Sequence, residues 1–152
     1  MAHRKLGQFS LAEALVRQRP GVNAQLDRIG GVVKWHRFER LLSRVYASPD
    51  GRPSYPPLVM LKCLLLQQWY GLSDLELEEA LADRLSFRRF VGLALDEHVP
   101  DHTTICRFRQ RLVGHGLTAK LFEELHRQLE ARGLIVKKGT LIDATLVEAD
   151  AG

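Results

Sequence analysis

Between Leu58 and Tyr70 the chain is apolar in nearly every position, interrupted only by Lys62, Gln67 and Gln68. A helix that is apolar on all sides has no face to offer water, so this segment belongs at the centre of a helical fold. Its ends are marked as well. Pro57 suits the first helical position, where its fixed φ helps and its missing N–H is not needed, and Gly71 stops the helix. Upstream, Ser48 to Pro57 reads Ser-Pro-Asp-Gly-Arg-Pro-Ser-Tyr-Pro-Pro, a linker of turn and extended chain, because proline cannot donate to a helix or a sheet. The polar interruptions leave the apolar run well short of the ~18–20 uncharged residues that a membrane span needs.

Other elements read as helices around this centre. Ser10-Leu11-Ala12-Glu13 is a capping box opening a short helix that Pro20-Gly21 ends. A second runs from about Val22 to Ile29, where Gly30-Gly31 is expected to break or bend it. A third places Trp35, Phe38, Leu41, Leu42 and Val45 at helical spacing, with Lys34, Arg37, Arg40 and Arg44 mostly facing away. Ser73-Asp74-Leu75-Glu76 is another capping box, opening a helix to about Arg84 with acids near its positive end. Ser86 is expected to cap one more short turn, and a loop follows from Gly92 to Pro100. Asp101 caps a helix from His102 to about Val113, buried through Ile105, Phe108 and Leu112. Leu117, Leu121, Phe122, Leu125 and Leu129 mark a long amphipathic helix closed by Gly133. The period then changes, and Leu134–Val136 with Thr140–Val147 read as a β-hairpin. The expected fold is mainly α: a helical bundle with a helix-turn-helix-like element, then a short C-terminal hairpin.

Charge distribution says more than the net value of +4. Residues 74–83 hold Asp74, Glu76, Glu78, Glu79 and Asp83 and no Lys or Arg. Residues 84–111 hold Arg84, Arg88, Arg89, Arg107, Arg109 and Arg111 against Asp96, Glu97 and Asp101. The planar guanidinium fork suits phosphate better than an ammonium does. The stretch from Leu75 to Leu112 therefore suggests a helix-turn-helix-like DNA reader, with His102, Thr103 and Thr104 at the helix N-terminus able to hold phosphate; a bundle with a merely charged surface fits the spacing too. The histidines lack the tight four-ligand spacing of structural zinc. Cys63 and Cys106 lie in apolar helical patterns as thiols of a cytoplasmic protein, and a disulfide framework is excluded. No nucleophile–base set stands out. Asp143, a lone carboxylate in an apolar strand, reads from spacing alone as a solvent-facing strand end or as a metal ligand.

Several motifs in order carry a resemblance: Tyr55-Pro56-Pro57-Leu58-Val59-Met60-Leu61-Lys62, Tyr70-Gly71-Leu72-Ser73-Asp74, Leu85-Ser86-Phe87-Arg88-Arg89-Phe90, Val99-Pro100-Asp101-His102-Thr103-Thr104-Ile105-Cys106-Arg107-Phe108-Arg109, Gly133-Leu134-Ile135-Val136 and Ile142-Asp143-Ala144-Thr145. The chain resembles the InsH-type N-terminal domain of bacterial insertion-sequence transposases of the insertion-sequence-five group. That resemblance implies a helical region binding the element's terminal inverted repeats. A ribonuclease-H-like domain follows, whose Asp-Asp-Glu set holds two Mg²⁺ ions. It places Asp143 at the first catalytic acid. The implied division is an N-terminal helical segment (1–47), a Pro-rich linker (48–57), a DNA-binding-like helical domain (58–133) and a truncated start of the catalytic domain (134–152). The sequence ends nine residues after Asp143, leaving that acid an incomplete metal site. The expectation is DNA binding without strand cutting and no cofactor for this chain alone. The alternative is a helical interaction module pairing with itself or with an intact transposase. Neither expectation includes a membrane partner.

Overall fold

The computed structural model describes residues 24–46, 55–137 and 140–143, with side chains over 24–45 and 55–134. Seven α-helices fill this part: α1 (Ala24–Val32), α2 (His36–Leu42, extended by a 3-10 turn over Ser43–Tyr46), α3 (Pro57–Tyr70), α4 (Asp74–Asp83), α5 (Leu85–Val91), α6 (His102–Gly114) and α7 (Thr118–Ala131). The expected helix opened by Ser10 and the linker over 48–54 lie outside the described residues.

Helix α3 takes the central place its composition demands. Nine of its fourteen residues are buried, from Pro57 to Trp69, and α2, α4, α5 and α6 all pack on it. Pro57 starts it, and Gly71 ends it at φ 63°, its N–H donating to the Gln67 carbonyl. Cys63 is wholly buried, and burial pushes its thiol up to about 12. Lys62 is the exception on this helix. Its ammonium sits 4.4 Å from the Trp35 ring centroid and 5.5 Å from that of Phe90, so aromatic faces replace part of its lost hydration. Trp35 and Phe90 meet edge to face at 5.8 Å, and Trp69 stands 5.8 Å from Phe90. This aromatic cluster joins α2, α3 and α5.

Two local expectations change. Helix α1 does not break at Gly30-Gly31 but continues to Val32. Intrinsic propensity is weak against tertiary packing: Leu26 and Ile29 are buried, and the Gly30 carbonyl accepts the Trp35 Nε1–H at 3.0 Å. Ser86 does not cap a turn. It lies inside α5, and extended Arg84 alone separates α4 from α5.

Helix α7 follows α6 after a turn of three residues, His115 to Leu117, with Gly116 at φ 65°. It packs on α2 and on Leu134–Lys137 (β1). Its buried Gln128 works as a latch. Oε1 accepts the Lys34 backbone N–H at 2.6 Å, and Nε2 donates to Glu124 Oε1 at 3.0 Å. β1 pairs antiparallel with Thr140–Asp143 (β2), Leu134 opposite Asp143. Leu134 joins the core. The hairpin expected to reach Val147 is not supported as a unit of the fold: the described residues give no sheet beyond this two-stranded pairing, and residues 144–147 lie outside them. The described protein is mainly helical. None of its helices is long and apolar enough to cross a membrane.

Candidate nucleic-acid interface

Helices α4 and α6 lie side by side. Two polar ties join them: Asp74 with Arg109, and Glu78 with His102. As numbering rises along α4 it falls along α6, so the helices run in opposite senses. Where a helix-turn-helix would have a tight turn, the chain inserts all of α5 and the loop Gly92–Asp101. Arg88 explains how that loop keeps its shape. Its Nη1 is shared among the carbonyls of Ala94, Leu95 and Glu97 at 2.8, 3.2 and 3.0 Å, while Glu97 Oε2 accepts the Ala94 N–H.

The arginines read together from the sequence therefore separate into two sets. Arg88 is committed to its loop. The Arg109 guanidinium is bound to both Asp74 oxygens, and its Nη2 also donates to Gln67 Oε1 at 2.7 Å. This tie holds the Asp74 carboxyl below its ordinary range, Arg109 being the largest cause. Arg89 lies 3.5 Å from Asp27 of α1 and is largely covered. Arg84 is exposed but stacks 4.9 Å from the Phe87 ring centroid. These side chains bind the protein to itself. Arg107 and Arg111 are exposed; no hydrogen bond or salt bridge is seen for Arg107 among the described residues.

The N-terminus of α6 is capped by Asp101 as expected. Asp101 Oδ1 accepts the Thr104 N–H at 2.7 Å, and that bond holds the Asp101 carboxyl below its usual range. Glu78 Oε1 accepts the His102 N–H at 2.7 Å and faces His102 Nδ1 at 3.0 Å. Two carboxylates therefore occupy donors that a phosphate would use, and their charge would repel it. The His102 and Thr104 N–H groups thus already have carboxylate partners within the protein. Thr103 is exposed.

What remains is a face in the middle of α6. At about 100° per residue, Thr103, Arg107, Gln110 and Gly114 fall on one stripe, with Arg111 at its edge. All five are exposed, while Ile105, Phe108 and Leu112 point into the core. Helix α6 contains no Asp or Glu. The acids of α4 are placed elsewhere: Asp74 and Glu78 turn toward α6 and are tied there, while Glu76, Glu79 and Asp83 lie on the opposite, exposed side. Sequence reading passed over Gln110 because a neutral amide carries no charge signal. Its spacing from Thr103 and Arg107 was the available clue.

Among the described residues no three His, Cys, Asp or Glu side chains converge to hold a metal ion. The Asp143 side chain lies outside the described ones.

Comparison with known families yields a match over residues 13–111 to the family described as Transposase domain (DUF772). No solved structure matches the chain.

Proposed function

The chain belongs to the transposase-domain family DUF772, and from that premise we propose that it is the DNA-end-binding part of an insertion-sequence transposase of the InsH, Asp-Asp-Glu type. Duplex DNA docks on the exposed face of α6. One observation carries the reading: Arg107 stands exposed in the middle of a helix that contains no Asp or Glu, beside exposed Gln110 and Arg111. On the same reading β1 and β2 begin a ribonuclease-H-like sheet, and Asp143 stands at its first acidic position.

The test is binding of the full chain to duplexes from the terminal inverted repeats of its own element, followed by fluorescence anisotropy across a salt series. The logarithm of affinity should fall linearly with the logarithm of salt. Arg111→Ala should reduce that slope by roughly one unit, and Arg107→Ala should weaken binding. Absent or salt-insensitive binding would remove the proposal. A second reading, a self-pairing or transposase-pairing module, draws on exposed Leu75, Leu85 and Val113. Concentration-dependent dimerisation lost in Val113→Ser, without DNA binding, would favour it.

A further inference from the structure

Resting on that DNA-binding reading, we infer that α6 reads base edges in the major groove, with Arg107 and Gln110 as specificity-determining residues for guanine and adenine. The stripe itself argues for this. Thr103, Arg107, Gln110 and Gly114 lie within about 60° of arc on the side of α6 turned from the core, and a major groove of ~12 Å admits a helix presented that way. A contact limited to phosphates would use charged groups at the rim. Arg111 is such a group, at the stripe's edge. Midway along its length the stripe instead pairs a guanidinium with a neutral amide, and an amide adds little to charge attraction. Its donor and acceptor match the adenine N7 and N6 edge, as the guanidinium fork matches guanine O6 and N7.

The rest of the helix narrows the contact to this region. Asp101 and Glu78 occupy the first-turn donors and repel phosphate from that end. Arg109 is turned toward Asp74 and Gln67. Gly114 carries no side chain at the far end of the stripe, and nothing lies within 4 Å of where its Cβ would be. Arg107 and Gln110 are about 4.5 Å apart along the axis, on the order of one base-pair step. The recognised sequence should therefore hold a G and an A in adjacent or next-adjacent pairs.

The experiment is selection from a randomised duplex library with the full chain, its Arg107→Ala variant and its Gln110→Ala variant, each first checked for unchanged melting. Wild type should enrich a motif with neighbouring G and A. Arg107→Ala should lose the preference at G, and Gln110→Ala that at A, each by about 5- to 150-fold. Gln110→Ala should keep the wild-type salt slope. If wild type binds duplexes with a normal salt slope but no base preference, or Gln110→Ala keeps the full wild-type motif, base reading by these residues is overturned while DNA binding stands. If no duplex is bound at all, both the inference and the reading beneath it fall.

Discussion

Replacing Arg109 by alanine should loosen α4 from α6 while leaving the outward face of α6 intact. The change removes both guanidinium contacts to Asp74 and the 2.7 Å bond to Gln67 Oε1. Asp74 keeps one partner, the Gln67 Nε2–H at 2.6 Å. Sheltered hydrogen bonds to charged groups contribute ~1.5–3 kcal/mol each, whereas fully exposed ion pairs contribute only ~0.2–1 kcal/mol. Side-chain exposures of 38% for Arg109 and 28% for Asp74 put this tie between those limits, so screening must be discounted. The expected loss is about 1–2 kcal/mol, which lowers the melting temperature of a chain this size by ~2–8 °C. A double-mutant cycle with Asp74→Ala should give a coupling energy of about 1 kcal/mol. The carboxyl is held below its ordinary 3.8, so the contribution is complete above that pH and disappears as acid titrates the folded form beneath it. Calorimetry and urea titration at pH 7 and pH 3 measure both effects. Suppose instead that Arg109→Ala melts like wild type and lowers the salt slope of DNA binding as Arg111→Ala is expected to. Arg109 would then be a phosphate ligand, and the separation of the arginines into inward and outward sets would fail.

Two further predictions concern packing. Gly31 is helical with nothing within 4 Å of a would-be Cβ, so Gly31→Ala should raise the urea midpoint by about 0.5–1 kcal/mol of stability. Gly71→Ala, at φ 63°, should lower it by ~1 kcal/mol; the same sign for both would refute the backbone argument. Burial lowers the Lys62 ammonium from 10.5, with Glu39 opposing. The folded state therefore releases that proton before the unfolded chain does, and stability attributable to Lys62 rises as pH climbs toward 10.5. Lys62→Met should lack that rise, so the difference between wild-type and mutant urea midpoints should move in the wild type's favour from pH 7 to 10.5. A difference independent of pH would show that Lys62 is not desolvated.

The central helix could be read from sequence because its signal is local and redundant: apolar residues on all sides, proline at one end and glycine at the other. The Ser73 and Asp101 caps were legible for the same reason, since each bond spans only three residues. The fate of each arginine was not. Helical period alone set Arg107 and Arg111 opposite Ile105, Phe108 and Leu112. What claims Arg109, however, lies 35 and 42 residues away, and no local pattern encodes such a partner. The Gln128 latch reaches across 94 residues. The uninterrupted run of α1 through two glycines likewise depends on packing, which propensity does not report.

The sorting of charge across α4 and α6 has an effect before any contact is made. Glu76, Glu79 and Asp83 stand on one flank, and Arg107 and Arg111 on another, so the pair of helices carries a lateral dipole. Near a polyanion this dipole feels a torque within a Debye length, about 10 Å at moderate ionic strength. The molecule would arrive already rotated, its acidic flank swung outward, and fewer collisions would be wasted on the wrong side.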